Sequence, residues 1–186
     1  MIRTLRTLSA EQILSHVIYG IRGHTSARLR PKHPPEMTTG GALVPFLKGP
    51  AHASWDDKGG LELIHQRVDF SSGVDWSYAA AGSLWTYQLH NFDHLRGEGL
   101  SREFRTEVLM SWIRNHRSGV GWDPHPTSLR LLSWGKLLLS PGSLLLDDQK
   151  ALPIYESMAQ QADCLKLNLE VRLQTNHLFS NLVVHK

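Results

Sequence analysis

The chain has 186 residues, enough for one domain with a sizeable hydrophobic core and too few for two comfortable domains. Hydrophobic residues make up 41% of it and charged residues 20%, as in ordinary soluble globular proteins. No apolar run is long enough to span a bilayer, so we expect no membrane insertion, and the single cysteine, Cys164, excludes an internal disulfide.

The formal net charge of +3 is concentrated at the amino-terminal end. Residues 1–36 contain six Arg or Lys and two Glu, a net charge of +4, which leaves −1 for the other residues. A basic segment favours an acidic partner, although a solvated segment without a partner explains it equally well. The start lacks a secretory profile, because charged and polar residues interrupt its apolar ones, so the sequence by itself predicts a cytoplasmic protein.

Three segments follow one another along the chain. Residues 1–24 predict a short amphipathic helix, because Ser9 and Gln12 form a capping-box pattern before apolar residues at helical spacing. Residues 25–83 predict an extended arm with short strands or turns. Residues 84–186 predict antiparallel helices joined by short turns, with one helix capped by Ser101 and a break near Asp163.

The stretch "WDPHPTSLR", residues 122–130, predicts a stiff loop that leads into a helix. Unpaired backbone amides at that helix start, with Arg130 one turn in, suit a carboxylate or sulfate. The simpler interpretation is that Asp123 pairs with Arg130 and the prolines around His125 only shape a turn.

The stretch "LWTYQLHNFDHL", residues 84–95, places His90, Asp93 and His94 at the spacing i, i+3 and i+4. This spacing resembles a metal-binding motif, but no third ligand is visible, and we predict no metal and no cofactor. Polar contacts within a helix interface or a sugar groove are the favoured explanation.

Six tryptophans are many for this length. Indole rings stack on sugars, but helical tryptophans more often belong to the core. Trp112 and Trp134 are predicted core residues, whereas Trp85 and Trp122 lie beside polar motifs and are candidates for a sugar groove.

Near the end, "LQTNHLFSN" places Asn176 and His177 next to each other on an apolar helical pattern that includes Leu165, Leu169 and Leu173. A lone inward histidine is usually a satisfied core residue, but the adjacent amide also needs partners, which makes burial of the pair costly. The residues alone leave a structural and a functional role equally open. No helix stop follows "SNLVVHK", so we expect the chain to be the amino-terminal part of a longer protein.

Four stretches in order resemble the amino-terminal helical domain of the heparinase II/III-like polysaccharide lyases: "RTLRTLSAEQI", "LWTYQLHNFDHL", "WDPHPTSLRLLSW" and "NLEVRLQTNHLFSN". The resemblance covers nearly the whole chain and is weakest between residues 25 and 60. Two departures from the family pattern are Gln88, where the family usually has Asn, and Ser133, where Asn is common before the Trp.

The resemblance implies a mainly α fold, here an incomplete α/α toroid without the family's carboxy-terminal β-sandwich. It also implies β-elimination at a uronic acid in an acidic polysaccharide such as heparan sulfate or alginate. Asn176 would neutralise the uronate carboxylate, and His177 would act as the base or orient the substrate. The substrate-binding residues implied, or placed by their motifs, are Arg130, His90, Gln88, Trp85, Trp122 and His125.

The resemblance further implies that the catalytic Tyr lies beyond this chain, which we therefore expect to be inactive alone and to need the missing part of its own enzyme. Family members are often periplasmic, so the compartment stays open. We predict no nucleic-acid partner. Two alternatives stay open: a non-catalytic helical carbohydrate-binding or scaffold fragment, and an α/α-barrel glycoside hydrolase with two carboxylates.

Overall fold

A computed structural model of the protein describes residues 53–139 and 148–168. This part contains four α-helices, two short 3-10 helices and one three-stranded sheet, which confirms the expectation of a mainly helical chain. The predicted amino-terminal helix within residues 1–24 lies outside the described residues.

The sheet is antiparallel, with the order β1 (Ala53–Trp55), β2 (Gly60–Leu63) and β3 (Gln66–Asp69). It falls within residues 25–83, where the sequence predicted short strands or turns. Leu61 and Leu63 on β2 are buried in the core, while the other residues of β3 are exposed around the inward-facing Val68. The sheet therefore covers one side of the helical core with one of its faces.

The turn between β2 and β3 consists of two residues, Ile64 and His65, both at positive φ (45° and 63°). Two-residue hairpin loops favour this left-handed geometry because it matches the twist of the strands, but they normally use Asn or Gly. Ile64 packs against the core, and this contact offsets part of the cost of a β-branched residue at positive φ.

Helix α1 (Ser83–Asn91) ends at Phe92, which has φ 63° and ψ 12°. A 3-10 helix (Asp93–Arg96) follows directly. The helical spacing that the sequence gives to His90, Asp93 and His94 is interrupted here, because the left-handed Phe92 turns the chain and separates the two elements. Phe92 is fully buried, so tertiary packing selects a conformation that a Phe rarely adopts.

Helix α2 (Arg102–Asn115) begins as predicted, because the hydroxyl of Ser101 accepts a hydrogen bond of 3.1 Å from the Phe104 backbone N–H. Val108, Leu109 and Trp112 share its buried face. The predicted cap is confirmed, and so is the predicted place of Trp112 in the core.

A second 3-10 helix (Val120–Trp122) leads into α3 (Pro124–Leu139), and α4 (Asp148–Leu167) follows. Helix α4 continues through Asp163, so the predicted break there is wrong. Helix α3 lies against α1 and α4, and α4 also contacts α2, so the four helices enclose one core.

Aromatic rings fill this core. Trp112 and Trp134 are fully buried, as predicted, and meet edge to face with ring centroids 5.8 Å apart. Trp112 also stacks on Trp122 at 5.4 Å, and Phe92 lies edge-on to both Trp112 and Trp134. Such offset and edge-to-face contacts stabilise aromatic pairs beyond the area they bury.

Of the helices within the described ranges, none is both long enough and apolar enough to cross a membrane.

Gly135 lies in the interior of α3, and a methyl group added at its Cα would meet no atom within 4 Å outside the local helix backbone. Gly135→Ala should raise the free energy of unfolding by about 0.5–1 kcal/mol, because Ala loses less conformational entropy in a helix than Gly. Urea unfolding followed by circular dichroism measures the change.

Gly99→Ala is the matched control, since Gly99 also faces open space but has φ 79°. It should lower the free energy of unfolding by roughly 1 kcal/mol, because Ala is strained at positive φ. A destabilising Gly135→Ala would contradict the placement of Gly135 in open space on a helix.

Candidate functional site

The side chain of Arg130 on α3 lies at the centre of the core and is 0% exposed. Its Nε donates to Gln161 Oε1 on α4 at 2.8 Å. Its Nη1 donates to the carbonyl oxygens of Gly121 at 2.7 Å and His90 at 3.3 Å, and its Nη2 donates to Thr127 Oγ1 at 3.2 Å. One guanidinium thus joins α1, the second 3-10 helix, α3 and α4.

All four acceptors are neutral, and none of the carboxylates in the described ranges forms an ion pair with Arg130. The interpretation that Asp123 pairs with Arg130 is therefore wrong; the Asp123 carboxylate instead accepts a bond of 3.4 Å from the Tyr87 hydroxyl. The guanidinium carbon lies 4.0 Å from the centroid of the Trp112 ring, a cation–π contact. Burial lowers the pKa of Arg130 to about 9, so the group stays charged at neutral pH.

Two histidines lie beside this guanidinium. The rings of His90 on α1 and His116, which follows α2, have centroids 4.5 Å apart. Trp112 Nε1 donates to His90 Nδ1 at 3.2 Å, so the neutral His90 carries its proton on Nε2. Burial, followed by the neighbouring His116 and Arg130, lowers the pKa of His90 to about 2. Burial and Arg130 lower the pKa of His116 to about 4, and its Nε2 is buried without a hydrogen-bond partner.

Gly121 lies directly against both imidazoles. A Cβ on this residue would lie 2.6 Å from His116 Nε2 and 2.6 Å from His90 Nδ1, closer than real Cβ atoms approach. Only glycine fits here without displacing a ring, and its carbonyl at the same place accepts from Arg130.

His90, Asp93 and His94 do not share one helix face, because α1 ends before Asp93. His94 Nδ1 accepts from Trp55 Nε1 at 3.0 Å, so the neutral ring carries its proton on Nε2, which donates to the Leu89 carbonyl oxygen at 3.1 Å. Burial lowers the pKa of His94 to about 4. The predicted helical spacing of a metal motif is therefore broken, and the described ranges contain no group of three metal-ligating side chains.

The two tryptophans predicted to line a sugar groove are both in the core. Trp85 is 0% exposed, and its Nε1 donates to the Gln66 carbonyl at 3.0 Å, which ties α1 to β3. Trp122 is 8% exposed, and its Nε1 donates to the His116 carbonyl at 3.2 Å. A role for either ring in sugar binding stays a prediction.

Two of the other predicted substrate contacts are half-buried. Gln88 lies on α1, where its Oε1 accepts from Asn91 Nδ2 at 3.3 Å. His125 lies in the first turn of α3, and its carbonyl oxygen accepts from the Ser128 hydroxyl at 2.8 Å. Asn176 and His177, the predicted catalytic pair, lie outside the described residues, so their roles also stay predictions.

The sequence reasoning missed three residues of the Arg130 network, namely His116, Gly121 and Gln161. His116 stands outside every motif, and Gln161 resembles any polar residue on a helix surface. The run "GVGW" carries a glycine signal at Gly121, but the sequence does not show which residues approach it. Comparisons with protein-family models, with curated proteins and with solved structures found no match to this chain.

Replacing Arg130 by Lys tests the network, because Lys keeps a positive charge but cannot present the planar fork to four acceptors. Arg130→Lys should lower the free energy of unfolding by about 2–4 kcal/mol, since buried acceptors lose their donors. Urea unfolding at pH 7.5 measures it.

Arg114→Lys is the matched control, because Arg114 is exposed and pairs with the exposed Glu107. Its effect should stay within about 0.5 kcal/mol. Equal stability of Arg130→Lys and wild type would show that the guanidinium fork does not hold the helices together.

Gly121→Ala should lower the free energy of unfolding by about 1–3 kcal/mol, because the new methyl group overpacks the two imidazoles. If the steric reason is right, His116→Ala combined with Gly121→Ala should cost less than the sum of the two single changes, which a double-mutant cycle in urea measures. If the effects of the two changes on the free energy of unfolding were strictly additive, the steric explanation would be contradicted.

Proposed function

We propose that this chain is the amino-terminal helical domain of a polysaccharide lyase that cleaves a uronic-acid-containing acidic polysaccharide by β-elimination. The sequence support is the order and spacing of the four stretches that resemble the heparinase II/III-like lyases. The incomplete α/α toroid belongs to this proposal.

One structural observation supports the proposal most. The stretches 84–95 and 122–134 meet in one buried network, because Arg130 in the second donates to the His90 carbonyl in the first. Ser133 in the second also donates to Asp93 in the first, at 2.8 Å. Residues from two of the four stretches thus contact each other where α1 packs on α3, as expected of a likeness in fold rather than one in scattered surface residues.

In the proposed reaction a base removes the proton at C5 of the uronate, and the 4-linked sugar leaves. The C5 proton is too weakly acidic while the neighbouring carboxylate is ionised and unpaired. A hydrogen-bond donor on that carboxylate stabilises the enolate-like charge of the transition state, and Asn176 would supply it. His177 would take the proton or hold the sugar in position.

The burial of Arg130, His90 and Trp85 changes how the proposal uses these residues. Each is 0% exposed, so under this proposal they would support the wall of a substrate cleft and would not contact the sugar directly. Direct contacts with substrate would then come from the half-buried Gln88 and His125.

The same burial favours the second candidate, a helical carbohydrate-binding or scaffold fragment without catalysis, because three predicted contacts have structural roles. The glycoside hydrolase is less well supported. Asp93 is one of the carboxylates that it could use, but its side chain accepts from both Arg96 and Ser133, contacts that hold the first 3-10 helix against α3.

The test follows the ultraviolet absorbance of unsaturated uronate, which only a lyase produces. This chain, and a version extended through the downstream reading frame, are incubated with heparan sulfate, alginate and other acidic polysaccharides. Binding to each polysaccharide is measured in parallel by calorimetry. We expect product from the extended version and loss of at least a hundredfold in rate in Asn176→Ala, because the transition state loses its donor.

Asn181→Ala is the matched control, an amide removed from the same stretch at a position without a proposed role. Product that persists in Asn176→Ala overturns the assignment of this residue. Binding without product from either version supports the carbohydrate-binding fragment, and absence of both binding and product overturns both candidates.

A further inference from the structure

Three groups that can carry positive charge meet in the core. They are His90 on α1, His116 after α2 and Arg130 on α3, and we name them the cationic cluster. The imidazole centroids lie 4.5 Å apart, and Arg130 Nη1 lies 3.3 Å from the His90 carbonyl oxygen. All three side chains are buried.

No carboxylate of the described ranges is among the groups that favour a second charge in the cluster. The Trp76 backbone favours a charged His90 and Cys164 favours a charged Arg130, but burial opposes both and is the larger effect. Around the two imidazoles, the groups that face the cluster are His94, the indoles of Trp76, Trp112 and Trp122, and the backbone of Gly121. Around the guanidinium, α4 contributes the neutral amide of Gln161 and the thiol of Cys164. The Asp93 carboxylate raises the pKa of His94. No carboxylate of the described ranges is among the groups that shift the pKa of His90 or of His116.

The hydrogen bonds of the cluster also require neutral rings. His90 Nδ1 accepts from Trp112 Nε1, and a protonated imidazole has no lone pair to accept with. His116 Nε2 has no acceptor within reach for the proton that an imidazolium would carry there. Arg130 cannot move away, because four acceptors on four elements hold it.

We propose that the cationic cluster is an acid-sensitive lock, which holds α1, α2 and α3 together while both imidazoles are neutral and releases them when His116 takes up a proton. The lock belongs to the fold and does not depend on the proposed lyase chemistry. Its consequence is that the domain keeps its structure at neutral pH and loses it cooperatively in acid.

The direction in which stability changes with pH follows from proton linkage. The folded pKa values of His90 and His116 lie below the value of 6.5 in an unfolded chain, so unfolding takes up protons at acid pH. Stability is fully present above about pH 6.5 and falls as the pH drops toward the folded values. For each of these histidines, the folded-to-unfolded ratio falls by up to about tenfold for every unit by which the pH drops.

The first experiment needs no variant. The imidazole Cε1–H resonance of His116, assigned by triple-resonance NMR in the full chain, is followed from pH 7.5 downward. We expect no titration of His116 in the folded protein above about pH 5, and disappearance of the folded resonance on further acidification. A folded-state titration of His116 near its unperturbed pKa would overturn the lock.

The second experiment measures urea unfolding between about pH 5 and 6.5, above the range in which carboxylates titrate. His116→Phe keeps a planar ring but cannot bind a proton. The folded-to-unfolded ratio of this variant should therefore fall less steeply with decreasing pH than that of the wild type, by a factor of up to about ten per pH unit. His65→Asn is the matched control, an exposed histidine at positive φ replaced by a residue that tolerates it, and should leave the dependence unchanged. The same slope in His116→Phe and wild type would overturn the proposal.

Discussion

The fold depends on the buried guanidinium of Arg130, whose positive charge is hydrogen-bonded only to neutral acceptors. Two of the acceptors of Arg130 are backbone carbonyls that local structure leaves open. His90 lies in the last turn of α1, where carbonyl oxygens lack intrahelical partners, and Gly121 lies in a short 3-10 helix. Arg130 on α3 therefore caps the carboxy-terminal end of α1, and its positive charge lies at the negative end of the α1 dipole, where a cation is stabilising.

The buried histidines near Arg130 stabilise the core by remaining uncharged. Two of them accept hydrogen bonds from indoles: His90 from Trp112, and His94 from Trp55. An acceptor stabilises the N–H of a buried Trp, and a neutral imidazole supplies one without adding a charge near Arg130. The bond between Trp55 and His94 also attaches β1 to the first 3-10 helix, so the sheet is held to the helical core by the same chemistry.

Local patterns in the sequence were sufficient where the structure is local. The capping hydroxyl of Ser101 and the buried face of α2 follow from spacing along one helix, and the structure agrees. The left-handed Phe92 was not predictable, because Phe has no local preference for positive φ and its conformation depends on rings from distant helices. Arg130 is the clearest case: near a helix start its charge suggested an anion site, whereas two of its four acceptors belong to residues 31 and 40 positions away.

The two departures from the lyase pattern now have a physical interpretation. Ser133 donates to Asp93, which also accepts from Arg96, so a hydroxyl supplies the donor that an Asn amide would offer there. Gln88 accepts from Asn91 one turn along α1, a contact within a single helix. Neither substitution leaves the Arg130 network short of a donor or an acceptor. Both residues therefore fit the packing of α1 against α3, and under the proposed function the difference between a lyase and a binding fragment would depend on the chemistry of Asn176 and His177.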